Sequence, residues 1–362
     1  MNKGKVLVLT GGGPAPGHNA VIYAACKLLL EAGYQVIGCL DGWKGLIQGL
    51  HCEVDFDFID RIYLRGGTKL CTSRTNLRKV KVDGQNDKQD LTGQVADYIK
   101  REGIIAVIAL GGNDTTSVAA ALFAKYGVPV LCGPKTIDND LWGTVQCYGF
   151  DTAANTVAEL IRGMHDDFAS THYVGVFEIM GRNNGSLALF GGIAGGAHIV
   201  LIPEFPQSIE SVIERVKAAH KRYGYCIVAV AEELNMDELS GHLMDGAPRD
   251  AFDNVQISKR TKGWAQIIAE EIEERAKLTA RHVVLGHLCR KGVPSVADMI
   301  MCLRIGTKIF DLIENATFGK LVTWGNPPGT IDLSETVDEH GEGKTQRVSE
   351  ELYRTLTALL PV

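Results

Sequence analysis

Between Gly103 and Asp140 the chain reads GIIAVIALGGNDTTSVAAALFAKYGVPVLCGPKTIDND, a pattern that few folds accommodate. Ile104 to Leu110 is an unbroken apolar run of strand length, as expected for a strand buried on both faces. Gly111-Gly112-Asn113-Asp114 interrupts it, and Thr115 to Lys125 reads as a helix. Val128 to Cys132 is a second short strand, leading into Gly133-Pro134-Lys135-Thr136 and the acidic pair Asp138 and Asp140. Two parallel strands thus deliver two polar loops to one sheet edge. In open α/β sheets that carboxyl-terminal edge binds ligands.

Similar units surround this stretch. Lys5 to Thr10 is a strand, followed by the loop Gly11-Gly12-Gly13-Pro14-Ala15-Pro16-Gly17 and a helix from Asn19 to Glu31. Backbone N–H groups in such a loop approach an anion closely, and the helix dipole attracts it. A tight turn explains the glycines equally well. Gln35 to Leu40 is a strand. Leu64 to Arg74 (LRGGTKLCTSR) carries Arg65, Lys69 and Arg74, which suit a phosphate or simply a solvated loop. Asp90 to Glu102 is helical.

Beyond Asp140 the spacing predicts one helix over Asp151–Ala169, a strand over Tyr173–Met180 and a helix over Ser186–Ala197. A strand over His198–Ile202, a helix over Ser208–Tyr223 and a strand over Cys226–Ala231 follow. Residues 235–258 are polar and irregular. Lys262–Lys277 is a helix, Arg281–Leu288 a strand, Ala297–Ile313 a helix, Gly319–Trp324 a strand and Val348–Leu360 a terminal helix. Residues 336–346 (TVDEHGEGKTQ) read as an exposed turn or flexible insertion. The fold class is α/β, with two similar Rossmann-like, doubly wound lobes and mainly parallel sheets.

The 362 residues leave room for two domains, and a net charge of −6 gives no general attraction to nucleic acid or anionic membrane. Nine cysteines occur without a CxxC pair, which argues against structural zinc and for reduced thiols. No signal peptide is apparent, and no apolar run approaches membrane-spanning length. A cytoplasmic protein is expected.

The motifs GGGPAPGHN (11–19), GGTKLCTSR (66–74), GGND (111–114) and PKTIDND (134–140) resemble the phosphofructokinase family. GFDTA (149–153), MGR (180–182), IPE (202–204) and RHVVLGHLCR (281–290) continue the resemblance in the family's order, over most of residues 5–325. It implies Mg²⁺-dependent phosphoryl transfer to the 1-hydroxyl of fructose 6-phosphate. It places a phosphoryl-donor lobe at 1–149 plus about 289–330, and a sugar-phosphate lobe at 150–288 plus about 331–362.

Asp138 falls on the family's catalytic base, with Thr136, Lys135 and Arg182 as further catalytic groups. Without the resemblance, the acids of TIDND read rather as caps of backbone N–H groups in a turn. Gly11, Gly12, Gly13, Arg74, Gly112, Asn113, Asp114 and Lys135 are the implied donor-binding residues. Thr136, Asp138, Asp140, Met180, Gly181, Arg182, Glu204, Arg281, His287 and Arg290 are the implied substrate-binding ones. Asn113, Asp114 and Asp140 are the implied metal ligands. The family also implies a homodimer or homotetramer with the sugar site completed across an interface.

Two positions bear on the donor. ATP-using members have glycine where this chain has Asp114 and Lys135, the residues found in pyrophosphate-using relatives. A carboxylate at 114 adds bulk and repels a nucleotide's α-phosphate, whereas Lys135 offers an ammonium to a compact diphosphate. Pyrophosphate is therefore the expected donor, with ATP as the alternative. Asn113 replaces an aspartate expected near Mg²⁺, and Tyr173 stands where many members have an arginine reaching a neighbouring subunit's sugar phosphate. Sedoheptulose 7-phosphate as substrate, or a catalytically weak regulatory subunit, are the readings these departures leave open.

Overall fold

A computed structural model describes residues 3–81, 87–182, 184–242 and 262–362. Its strands, in chain order, are β1 (Lys5–Thr10), β2 (Gln35–Cys39), β3 (His51–Val54), β4 (Val80–Lys81), β5 (Lys88–Gln89), β6 (Ile104–Gly111) and β7 (Val130–Pro134), then β8 (Val174–Ile179), β9 (Ile199–Leu201), β10 (Cys226–Ala231), β11 (Ala280–Val284), β12 (Lys320–Thr323) and β13 (Gly329–Asp332). The helices that matter here are α1 (His18–Glu31), α2 (Thr92–Arg101), α3 (Asn113–Tyr126), α4 (Phe150–Arg162), α5 (His165–Thr171), α6 (Ser186–Ala194), α7 (Ile209–Tyr223), α8 (Trp264–Ala276), α9 (Val296–Glu314) and α10 (Glu350–Thr357).

Two larger sheets organise these elements, and β4 and β5 pair as a separate two-stranded antiparallel ribbon. The first has the order β13-β12-β7-β6-β1-β2-β3. Its inner five strands are parallel, and both edge strands run antiparallel. The second, β11-β8-β10-β9, is wholly parallel. Alternation explains the helices on both faces: Val6 and Val8 enter the core under α1 and α9, while Leu7 and Leu9 enter the core under α2 and α3. In β10, Cys226, Val228 and Val230 face one core and Ile227, Ala229 and Ala231 the other.

In the first sheet, β2 lies on one side of β1 and β6 on the other. The chain therefore reverses its direction of winding at β1, which opens a crevice above the carboxyl ends of β1 and β6. Gly11 and Gly111 end those two strands. A Cβ on either would come within 2.3 Å of the Thr115 side chain, so only glycine lets both strand ends close on α3.

The expected helix over Asp151–Ala169 is two helices. At Gly163–Met164 the bonding tightens, with Met164 N–H donating to the Ile161 carbonyl, and α5 restarts at His165. The expected strand to Leu288 stops at Val284, because Gly286 takes φ +46 and starts a 3₁₀ turn over Gly286–Arg290. Residues 336–346 are not a flexible insertion. Asp338 accepts hydrogen bonds from the His340 and Glu342 N–H groups, Glu342 pairs with Arg78 and Lys79, and Gln346 N–H donates to the Asp140 carbonyl at 2.7 Å. The segment is an ordered strap. Of the irregular stretch 235–258, residues 243–258 lie outside the described residues.

The starts of α4 and α9 are joined by buried side chains. Asp298, fully buried, accepts from the Thr152 N–H and hydroxyl, and Thr152 Oγ1 accepts from the Ser295 N–H. Removing that carboxylate strands two buried donors, a loss of about 1–3 kcal/mol. Asp298→Ala should therefore lower the melting temperature clearly, and Asp298→Asn, which keeps an acceptor, should lower it by less than half as much in a thermal denaturation series.

Candidate active site

The glycine loop after β1 is held from three sides. Gly12 N–H donates to the Ser73 carbonyl at 2.9 Å, and Thr72 Oγ1 donates to the Gly12 carbonyl at 2.8 Å. The Lys135 ammonium donates to the Gly13 carbonyl at 3.0 Å, and Arg290 Nη1 donates to the Pro14 carbonyl at 3.1 Å. A Cβ on Gly13 would lie 2.8 Å from that guanidinium. Two cations therefore sit directly against this loop.

Lys135 ends the buried run of β7 and is itself buried. Burial, then the Arg290 charge, lowers its pKa to about 8 against the opposing pull of Asp138 and Asp140. Arg74 adds to the positive field while lying exposed. His18, beneath the loop, is kept neutral by burial and then by Lys135, with its pKa lowered to about 3. Its Nδ1 lies 3.2 Å from the Ala15 carbonyl.

Thr136 to Asp140 forms a tight turn. Thr136 Oγ1 accepts from the Asp138 N–H at 3.0 Å, and Asn139 takes φ +54, with its Oδ1 accepting from the Cys147 N–H. Asparagine tolerates that left-handed conformation better than most residues. The turn leaves Asp138 Oδ1 buried without a hydrogen-bond partner. Asn113 Nδ2 donates to Asp140 Oδ2 at 3.0 Å, which leaves Asn113 Oδ1 buried and unpartnered as well. Burial, then the Asp138 charge, raises the Asp140 pKa.

The second sheet brings its own carboxyl edge to the same place. Gly181, at φ +152, donates its N–H to Glu232 Oε1 at 3.1 Å, and Glu232 follows β10. Burial raises the Glu232 pKa to about 7, and the Asp138 charge adds to the rise. Asp138, Lys135, Arg290, Glu232 and the Met180–Gly181 backbone are thus brought together where the two sheet edges meet.

Not every expected residue joins them. Glu204 accepts from the Gly185 N–H at 2.9 and 3.1 Å and from the Val348 N–H at 3.3 Å. Arg281 sits opposite Gly175 on edge strand β11, pairs with Glu273 at 3.2 Å and lies over the Tyr173 ring at 5.2 Å. His287 is exposed on the 3₁₀ turn. Asp114 occupies the first turn of α3.

Sequence reasoning passed over Glu232 and His18. Glu232 had a signal: it stands at the end of the apolar run CIVAVA, as Met180 to Arg182 stand at the end of YVGVFEI.

Among the described residues no three His, Cys, Asp or Glu side chains gather as a metal cluster. The oxygen donors present still suit Mg²⁺, which takes one or two carboxylates and fills its remaining positions with phosphate oxygens and water. The unpartnered oxygen of Asn113 and the carboxylate of Asp140 are such donors.

Glu232 carries a pH signature. Its folded pKa lies above the unfolded value, so its contribution to stability is present at acid pH and lost as pH rises through about 7. Glu232→Gln keeps an acceptor for Gly181. The variant's melting temperature relative to wild type should therefore be higher at about pH 8 than at about pH 5; an equal difference at both would show that the carboxyl does not ionise in the fold.

Known proteins share this architecture and sequence. The family described as phosphofructokinase matches residues 5–313. A pyrophosphate–fructose 6-phosphate 1-phosphotransferase of Dictyoglomus thermophilum is 36% identical over 358 residues, 98% of each chain. The ATP-dependent 6-phosphofructokinase 2 of Clostridium perfringens is 35% identical over 93% of this chain and 94% of its own. The crystal structure of a pyrophosphate-dependent phosphofructokinase from Marinobacter aquaeolei shares the fold at 19% identity, with a TM-score of 0.75 over 99% of this chain and 91% of that one. With its glycine loop, TIDND turn and MGR loop gathered into one crevice, the chain belongs to the phosphofructokinase family.

Proposed function

We propose that the protein transfers a phosphoryl group from pyrophosphate to the 1-hydroxyl of fructose 6-phosphate, reversibly and with Mg²⁺. The observation that carries this reading is the buried Lys135 ammonium, held at the glycine loop beside Arg290. Surplus positive charge in a desolvated crevice suits a compact, highly charged diphosphate. Asp114 on the first turn of α3 opposes the extra phosphate of a nucleotide. Relatives named as pyrophosphate-dependent, at 36–39% identity, support the same donor.

In this reading the first lobe binds the donor and the second the sugar phosphate. Asp138 accepts the proton of the sugar hydroxyl as the oxygen attacks phosphorus, and its unpartnered Oδ1 is the atom available to do so. Lys135, Arg74, Arg182 and Arg290 neutralise the phosphate oxygens, since phosphoryl transfer depends on positioning and charge more than on covalent help from the protein. Asn113, Asp114 and Asp140 would hold Mg²⁺, which when bound withdraws charge from the donor. Thr136, Met180, Gly181 and Arg182 shape the sugar side. Glu204 acts there through the Gly185 backbone. Arg281 and His287, both exposed, serve the sugar phosphate across a contact with a second copy in a homodimer or homotetramer. No helix among the described residues is long and apolar enough to cross a membrane, and a cytoplasmic location completes the reading.

The test is a coupled assay with Mg²⁺ and fructose 6-phosphate, supplied with pyrophosphate or with ATP. Turnover with pyrophosphate and little with ATP is expected; the reverse assigns the donor to ATP. Asp138→Ala should lower kcat by about 10²–10⁴-fold while the protein stays folded. Asp114→Gly should raise the affinity for a non-hydrolysable ATP analogue, measured by calorimetry, and an unchanged affinity would remove Asp114 from donor selection.

A further inference from the structure

The loop that carries Arg182 is fastened at each end by a carboxylate: Glu232 takes the Gly181 N–H, and Glu204 takes the Gly185 N–H. Between them lies Asn184, fully buried. Its Oδ1 accepts from the Ser186 N–H at 2.6 Å, at the start of α6. Its Nδ2 donates to the Gln346 carbonyl at 2.7 Å. The two partners, an N–H and a C=O, fix which way the amide points.

Gln346 belongs to the C-terminal strap, and its own N–H donates to the Asp140 carbonyl at 2.7 Å. The strap is secured on both sides of this residue, by the Leu141–Thr345 bridge and by the bond from Val348 N–H to Glu204. A short run of hydrogen bonds thus joins the turn of Asp138 and Asp140 in the first lobe to the loop of Arg182 in the second. One strap residue stands between them.

Resting on the roles given above to Asp138 and Arg182, we propose that Asn184 is a positioning residue. Through Gln346 it sets the placement of the Arg182 loop against the Thr136–Asp140 turn. Holding the first N–H of α6, that of Ser186, requires only an acceptor at 184, and the donor half of the amide has no part in that bond. Phosphoryl transfer is sensitive to small displacements of the groups that meet the transferring oxygens. Losing the donor should therefore reduce turnover without abolishing donor binding.

Asn184→Asp isolates that half of the amide. It is nearly isosteric and keeps the acceptor for Ser186, but once ionised it has no proton for Gln346. At about pH 8, kcat should fall roughly tenfold or more, with KM for pyrophosphate within about twofold of wild type. As pH is lowered, the protonated carboxyl regains a donor, and the ratio of variant to wild-type kcat should climb towards one. Glu204, Glu232 and Arg182 around the loop, and Asp138 and Asp140 beyond Gln346, are present in both proteins, so Asn184→Ala, which adds no carboxyl, is the reference for the pH profile. Asn184→Ala, lacking donor and acceptor, should give a low ratio that is flat with pH.

Wild-type kcat for Asn184→Asp at about pH 8, or a deficit as flat with pH as that of Asn184→Ala, would overturn the proposal. If Asn184→Asp fails to fold, Asn184→Ser takes its place, because a hydroxyl still caps α6 but falls short of Gln346. Reduced kcat with unchanged KM then supports positioning, and wild-type kcat refutes it. The wild-type assay precedes all of these and uses whichever donor is turned over. Its failure with both donors would count against the functional reading rather than against Asn184.

Discussion

A lysine ammonium buried beside an arginine is the interaction on which the site depends. Lys135 lies at the end of a strand whose every residue is buried, and Arg290 reaches the same glycine loop from the far end of the chain. Lowering the lysine pKa from 10.5 to about 8 makes its charged form costly in the fold by on the order of 3 kcal/mol. The sign follows from linkage: that stability is missing below about pH 8 and is recovered as the lysine loses its proton. A chain optimised only for stability would not keep such an arrangement. An anion with several charges offsets the cost on binding, so empty and filled sites differ in stability as well as in occupancy.

The same crevice carries the opposite problem on its other wall. The Asp138 charge reaches both Asp140 and Glu232, and burial together with that repulsion raises the pKa of each. Acids and cations are crowded without direct ion pairs between Lys135 and the two aspartates among the described contacts. That separation is informative. Groups that neutralised each other completely would have nothing left for a phosphate, a metal or a proton.

What could be read from the chain divides along physical lines. Strands such as Lys5–Thr10 and Cys226–Ala231 coincide with their apolar runs, because residues buried on both faces must be apolar throughout. The glycines at 11 and 111 and the turn at Thr136–Asp140 were legible because close backbone approach and tight turns restrict residue type. Met180–Arg182 and Lys135 were legible through the motifs they share with a family. Helix ends were less so. Gly163 is compatible with a continuous helix, and the break after α4 shows only in the tightened bond from the Met164 N–H to the Ile161 carbonyl. Glu204 is a different case: a carboxylate that meets a ligand and one that accepts from backbone N–H groups look identical in sequence, so its bonds to the Gly185 and Val348 N–H groups appear only in three dimensions.

The strap shows most clearly where sequence patterns stop. TVDEHGEGKTQ has the composition of a solvated, unstructured segment, and its side chains are indeed mostly polar and partly exposed. Besides the Asp338 and Glu342 side chains, its order comes from groups that carry no sequence signal. The Gln346 N–H and C=O meet Asp140 and Asn184, and a Cβ at Gly343 would lie 2.9 Å from that of Asn113. Backbone groups are the same at every position, so a segment that works through them leaves its partners to be found only in three dimensions. That is also why the two lobes can be recognised separately while their coupling cannot. The motifs specify what each edge presents, and the strap joins the edges through the Gln346 main chain, which meets Asp140 on one side and the Asn184 side chain on the other.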